Sequence, residues 1–519
     1  MSRSAIWQKD KARCIDNGRS SLSNEATLMC ETIATPSFEF ALHVARIAHQ
    51  LVIANGWEPI RWQIGLDDLQ SAFRTIPSSQ PQFNLFAVWS PELQAVRYHY
   101  TFGFVFGLKS SVTQFNRFPE VMVSAARCLA AVPSHHFFDD YMVVDPLAAG
   151  SSGQDFLFDL HRHVGDGLAF HENRAFISAP AIEPKKRQRM AQIHTALGVV
   201  VDLSQTGIAD NVVSFEPSPS RVSFVLGMWR NASRDRRMSP QFAATLRGKL
   251  NFLLEAAAGR VGRAPSLVLV QREHHDSDYS FTPELHHAHE FYEALLPNLP
   301  VRKMAVGPAN IPPLLVYTDA MFRPRKRKHR LECVADEFSS RFITRLGIVL
   351  YDPLCDPGHY AFNPTLTGGC GDGFLFYGSV TPPASVTATF AKSSEGALLK
   401  VYIAQLEVLA AVSVYYTFPS KVRNRQVNHF VDNTVALSGL IHGYARKPDL
   451  ARMVNAFHLQ LAGLRADAYL EFVPSLANIA DLPSRGEFDL LHRLGGIRCS
   501  VVIPPAETWL APLSVWINR

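Results

Sequence analysis

Four times along this chain, a run of apolar, β-branched or aromatic residues stops on aspartate. The runs are "RWQIGLDD" (61–68), "SHHFFDDYMVVD" (134–145), "LLVYTD" (314–319) and "HFVD" (429–432). Segments of that composition and length read as buried or half-buried strands. An acid at the tip of such a strand delivers a carboxylate to the end of a sheet. Neighbouring tips then hold like charges together, which raises their pKa values and is costly without a cation to share. Two runs fall in each half of the chain, so two separate acidic constellations are expected.

The rest of the chain supplies cores for them. At 519 residues it exceeds a single core, and length alone suggests about three or four domain-sized units. An apolar content of 47% with 11% aromatics argues against wholesale disorder. A net charge of +5 suits a nucleic-acid partner but equally many enzymes. Seven scattered cysteines without a CxxC pair suggest neither a disulfide framework nor a zinc knuckle. A reducing intracellular setting, cytoplasmic or nuclear, is the expectation. No stretch approaches the roughly 20 apolar residues of a membrane span, so no membrane partner is expected.

Periodicity places a helix over 38–56 that stops at Gly56, a strand into Asp67-Asp68, and, after a Gly-containing turn, a long helix within "YHYTFGFVFGLKSSVTQFNRFPEVMVSAARCLAAV". Asp139-Asp140 then sits where two short strands meet in a hairpin. "SPQFAATLRGKLNFLLEAAAGR", from Ser239, has an N-cap serine with proline in first helical position. Residues 272–313 are polar and rich in His and Pro, and read as a domain connection. A second α/β pattern follows: strand, two strands, helix, strand, helix and strand. The fold class is α+β and α/β multidomain.

The first constellation has the outline that nucleotide addition needs. Two divalent ions about 3.5–4 Å apart, held by acids on neighbouring strand ends, activate a primer hydroxyl and hold a triphosphate. "DLQSAFRTIP" (68–77), "FGLKSSVTQFNR" (106–117) and "FFDD" (137–140) occur in order, with "KARCID" (11–16) before them and "LGVVVD" (197–202) after. This series resembles the motifs of retrotransposon reverse transcriptases, of the tyrosine-recombinase type and related LTR-class elements. The resemblance implies a right-hand polymerase with fingers, palm and thumb. It makes Asp68, Asp139 and Asp140 the catalytic acids and metal ligands. It places Lys11 and Arg13 on the triphosphate, Phe73 as the ring that excludes a 2′-hydroxyl, and Gly107 and Gln114 along the nucleotide and template pocket. Phe137 stands where the family commonly has tyrosine, and Val112 where many relatives have proline. Lys185 and Lys186 are the candidates for a general-acid lysine.

The second constellation comprises Asp319, Glu407, Asp432 and Asp481, an order of strand, helix, strand and late-helix acids that resembles ribonuclease H. "VPSLANIADLPSR" (473–485) is similar to the end of that domain in retrotransposons. The implied chemistry is attack of a metal-activated water on an RNA phosphodiester. The resemblance implies two Mg²⁺ (or Mn²⁺) ions per active site. Its implied partners are a primed RNA or DNA template, RNA-DNA hybrid and deoxynucleoside triphosphates; oligomeric state is open.

The expected divisions are fingers and palm over 1–205, a thumb-like helical region over 206–271, a connection over 272–312, a ribonuclease H-like domain over 313–488 and an unassigned tail over 489–519. "RPRKRKHR" (323–330) and "PKKRQR" (184–189) read equally as phosphate clamps, an import signal or solvated loops. "LHHAHEF" (285–291) brings histidines together without a second ligand cluster, which argues against zinc. The competing reading is a decayed or domesticated copy, catalytically weak or inactive, that binds nucleic acid. Retention of all seven acids weighs against it.

Overall fold

The computed structural model describes residues 2–510, except 9–10, 18–21, 29–30, 34, 36, 70–71, 106, 170–181, 209, 259, 276–278, 308–310, 325–341, 364–372, 388 and 391–397. At 2–8, 11–17, 75, 165–169, 257–258, 398–402 and 509–510 only the backbone is described. The chain divides into two compact units, residues 1–215 with 303–308, and residues 216–302 with 309–519. Among the described residues, no helix is long and apolar enough to cross a membrane.

The first unit opens with the hairpin β1 (Ser2–Gln8) and β2 (Lys11–Asn17). Helix α1 (Phe40–Asn55) follows and ends on Gly56 at φ +64°, a left-handed cap that a side chain would strain. Next come β3 (Trp62–Asp68), β4 (Leu85–Ser90), β5 (Ala95–Tyr100) and α2 (Lys109–Ala130). They are followed by β6 (Ser134–Phe137), β7 (Asp140–Pro146), α3 (Ser152–Ala169) and β8 (Gln188–Ala191). The sheet that matters for the site runs β6-β7-β3-β8 and is antiparallel throughout. Tyr141, Val143 and Leu157 are fully buried with Phe115 and Val123 of α2. That face is therefore the packed one, and the alternation of a strand turns Asp68 and Asp140 to the other. A second small sheet joins β9 (Ile193–Ala196), β10 (Val199–Asp202), β11 (Val212–Pro217) and the returning β12 (Arg302–Ala305).

In the second unit, α4 (Pro219–Arg234), α5 (Pro240–Ala258), α6 (Leu267–His274) and α7 (Pro283–Leu295) surround the buried rings of Trp229 and Tyr292. Helix α5 begins where the Ser-Pro signal places it, and the Ser239 hydroxyl accepts from the Phe242 amide at 3.2 Å. Helix α7 lies inside the polar stretch 272–313. Its Leu285, Ala288, Tyr292 and Leu295 are buried, whereas the histidines occupy intervening positions.

A six-stranded sheet completes this unit. Its strands are β13 (Leu314–Pro324), β14 (Phe342–Tyr351), β15 (Leu375–Val380), β16 (Gln426–Val431), β17 (Asp467–Phe472) and β18 (Ile497–Cys499), in the order β17-β16-β13-β14-β15-β18. The β13-β14-β15 pairings are antiparallel, and the others are parallel. Helices α8 (Leu398–Thr417), α9 (Thr434–His442) and α10 (Pro448–Leu464) cover it. Residues 404–415 of α8 are buried without a break, the pattern of a helix enclosed on all sides. The unassigned tail supplies the sixth strand, β18, alongside β15.

Candidate active sites

In the first unit, the β3–β7 register sets Asp68 opposite Asp140, and Phe137 pairs with Asp140 to close the hairpin. The two-residue turn between holds Phe138 at φ +55°, a left-handed conformation that brings the chain round sharply. The Leu69 amide donates to the Asp139 carbonyl at 3.0 Å, so the turn is pinned to the end of β3. The surrounding protein and then the Asp139 and Asp68 charges push the Asp140 carboxyl up to about 6. Lys186 makes an ion pair with Asp68, which raises its ammonium above the usual range.

The other expected residues of this unit fall as follows. Phe73 lies in the turn after β3 and stacks on Phe115 at 4.3 Å between ring centres. Gly107 takes φ +99°, and its carbonyl accepts from Asn24 Nδ2 at 2.8 Å. Asn24 Oδ1 in turn accepts from the Lys109 amide at 2.9 Å. Asn24 thus fixes the entry to α2, a role that the polar context of "SLSNEATL" does not announce. Gln114 is exposed on α2 and accepts from Arg117 at 3.0 Å. Lys11 and Arg13 lie on β2, and their side chains fall outside the described residues. The stretch 184–189 is largely exposed, as a solvated loop would be, but Lys186 engages Asp68 and the Arg187 side chain is only 9% exposed.

In the second unit, Asp319, Glu407 and Asp432 bring one ligand atom each within 4.8 Å of one another. Among the described residues no other acidic or histidine group of three does so; Asp68, Asp139 and Asp140 stay wider apart. Asp319 follows directly on the β13–β16 pairing at Thr318 and Val431, and Asp432 follows Val431, so the two acids lie side by side. Strand β13 does not stop at Asp319 as the run "LLVYTD" suggests but continues along β14 to Pro324. Asn433 explains why the strand stops there: its side chain accepts from the Val435 and Ala436 amides and caps α9. Glu407 projects from the enclosed helix α8 and accepts from the Ala320 amide at 3.2 Å.

Burial dominates the electrostatics here. It pushes the Asp319 carboxyl up to about 6, and the Asp432 and Asp481 charges add to the effect. Burial, then Asp319 and Asp432, raises Glu407 well above the carboxylate range. Its Oε2 is buried without a hydrogen-bond partner, the condition a bound cation would relieve. Asp481 opens the short helix α11 (Asp481–Arg485) and pairs with Arg485 at 2.6 Å. It stands outside the 4.8 Å group, yet its charge reaches both Asp319 and Glu407.

Two supports of this site were not evident beforehand. Asn478 donates to the Thr318 carbonyl at 2.9 Å and accepts from the Ala480 amide at 3.2 Å, tying the approach to α11 onto β13. Gly347, which pairs with Asp319, leaves the room that α11 fills. A Cβ there would meet the Ala480 carbonyl and lie 2.5 Å from the Ser484 amide nitrogen. Gly347→Ala should therefore displace α11 and destabilise the unit by about 1–3 kcal/mol. Thermal unfolding of the purified variant checks this; an unchanged midpoint would contradict it.

No protein-family profile matches this sequence. No curated protein matches it either. Among solved structures, the chain is similar to a foamy viral protease-reverse transcriptase in complex with RNA/DNA hybrid. The superposition has a TM-score of 0.41 at 11% identity and covers 92% of this chain and 50% of that one. The chain thus spans half the length of that protein. So distant a likeness leaves function to the chemistry of the two sites.

The remaining motifs add no ligands. His289 bonds Glu293 at 3.1 Å, and Arg230 grips the same carboxylate, so this end of α7 is a structural ion pair. His286, His287 and Glu290 form no metal-ligand group among the described residues. Of "RPRKRKHR", residues 325–330 lie outside the described residues.

Proposed function

We propose that this chain is an RNA-directed DNA polymerase with a hybrid-cleaving ribonuclease H activity. The observation that carries the reading is the convergence of Asp319, Glu407 and Asp432, with a buried, unpartnered Glu407 oxygen among them. The succession of strand, two strands, helix, strand and helix around these acids is what the resemblance to ribonuclease H calls for. The acid-bearing β13 and β16 are neighbours in the sheet. At the first site, support comes from Asp68 and Asp140 facing each other across a strand pair, with Asp139 in the adjoining turn.

Under this reading, Asp68, Asp139 and Asp140 hold Mg²⁺ or Mn²⁺ in the first unit, and Asp319, Glu407, Asp432 and Asp481 hold it in the second. Bound ions of this kind activate a hydroxyl or a water and neutralise charge on the phosphate. The chain's own groups do the rest. The Phe73 ring, backed by Phe115, forms a wall against a ribose 2′-hydroxyl. Gly107 lets the backbone approach the nucleotide closely. Glu407, projecting from the enclosed helix α8, keeps its carboxyl away from bulk water and fixed by the Ala320 amide.

Primer extension on an RNA template with Mg²⁺ or Mn²⁺ tests the polymerase half. Incorporation of deoxynucleotides by the folded chain is expected, and none at all would refute it. Phe73→Val should shift the ratio of ribonucleotide to deoxynucleotide use upward by about 10²-fold, since a lost steric wall removes discrimination. Parallel incorporation assays with the two nucleotide types give that ratio, and an unaltered value would remove Phe73 from the pocket.

A further inference from the structure

Residues 182–187, which lead into β8, run along the edge of β3 but do not match it residue for residue. Leu69 pairs with Ile182 and Leu66 with Gln188, so six residue steps lie opposite three. The surplus forms a loop anchored at both ends. The Glu183 amide donates to the Asp68 carbonyl at 2.8 Å, and the Gln188 carbonyl accepts from Gln154 Nε2 at 2.9 Å. Consecutive basic residues of this loop then reach opposite faces of the sheet. Lys186 meets Asp68 on the face that carries Asp140, and Arg187 meets Asp67 on the face packed against α2 at 3.4 Å.

The packed-face contact is the more deeply buried of the two, an ion pair at 3.4 Å with no hydrogen bond on Arg187 Nε. Asp67 is 2% exposed, and its Oδ1 accepts from Gln154 at 3.1 Å beside the Arg187 charge. Arg187 donates to Asp155 at 2.6 Å, and its guanidinium lies 4.8 Å from the centre of the Phe158 ring. The Lys186 side chain, by contrast, is 60% exposed and holds Asp68 through one flexible ammonium. A surface ion pair of that kind has little strength of its own and is ordered only if something else fixes the backbone beneath it. Arg187, the next residue, is that fixture.

We propose that Arg187 and Asp67 are positioning residues whose buried pairing holds Lys186 against the catalytic acid Asp68. Neither side chain lies on the face that carries Asp68 and Asp140; both act through the loop. The consequence for synthesis rests on the polymerase reading above, whereas the positioning itself does not. Loss of the pair should leave Lys186 free to swing, slowing turnover without weakening nucleotide capture.

The test uses the full chain and the variants Arg187→Gln, Arg187→Lys and Asp67→Asn. Lysine acylation read by mass spectrometry compares Lys186 with its exposed neighbour Lys185 in each folded protein. In the parent, Lys186 should react several-fold more slowly than Lys185. In Arg187→Gln and Asp67→Asn the two rates should converge, the double variant going no further than either single one, as for residues acting as one unit. Arg187→Lys, which keeps the charge but not the planar fork, should fall between. Primer extension by the same proteins should show kcat lowered about tenfold or more, with KM for the nucleotide within about twofold. Unchanged Lys186 labelling in the folded variants, or additive effects in the double variant, would overturn the proposal. If the parent extends no primer, the polymerase reading falls and the labelling comparison still decides the positioning.

Discussion

An Asp319→Asn chain loses hybrid cleavage and, without divalent metal, melts at a higher temperature than its parent. Both results follow from one cluster. Asp319, Glu407 and Asp432 converge in a setting that holds little water, and like charges there oppose each other as well as the burial. With its folded carboxyl at about 6 against an ordinary 3.8, Asp319 costs the metal-free fold up to about 3 kcal/mol at neutral pH. Asparagine keeps the shape and removes that cost. It also removes a ligand, for which a drop in cleavage of about 10³-fold is expected.

The pH dependence has a definite sign. Between about 4 and 6 the folded state keeps a proton on Asp319 that the unfolded chain has released. Stability of the metal-free parent therefore rises as pH falls through that window and declines as pH climbs. Melting curves in chelator from pH 7 to pH 4, with hybrid cleavage in Mg²⁺ alongside, check both parts. A variant that still cleaves, or that melts lower than the parent, would show that Asp319 is a structural acid.

The double variant Asp139→Ala/Asp140→Ala should abolish primer extension, by about 10³-fold or more, while hybrid cleavage by the same protein continues. The two acids sit in a hairpin turn and at its first paired residue, and Asp140 is exposed. The turn is held by backbone contacts, from the Leu69 amide to the Asp139 carbonyl and across the Phe137–Asp140 pair. Alanine preserves those contacts and removes a carboxyl that its protein surroundings, and then the Asp139 and Asp68 charges, push up, so the melting temperature should not drop. Extension and cleavage measured on one preparation make the comparison internal. Surviving extension would mean that the hairpin carries no catalytic acid.

The acid-bearing strands were legible because β-branched and aromatic runs have few other uses; β3 and β16 do end at their acids, whereas β13 runs on past Asp319 to Pro324 because β14 keeps pairing with it. The helix caps at Gly56 and Ser239 are likewise local chemistry. Helix α7 escaped notice because its buried positions, Leu285, Ala288, Tyr292 and Leu295, are diluted by histidines that make the stretch look polar. The support from Gly347 depends on what another segment places over it, which no local pattern contains. Asn24 and Asn478 each bind backbone groups far along the chain, 85 residues away at Lys109 and 160 at Thr318. The loop gripping Asp67 and Asp68 reads as a plain basic run until its partners across the strand are known.

The short strand Ile497–Cys499 has a practical consequence for dividing this chain into fragments. It lies along β15, whose Leu375, Phe376 and Tyr377 are buried. A fragment stopped just after the last acid, at Arg485, would retain every candidate ligand and yet leave that strand with unpaired amides and carbonyls. Such an edge is a template for joining another chain. Fragments of the second unit therefore belong in solution only when they carry the stretch through Cys499, which serves as the sheet's own selvedge.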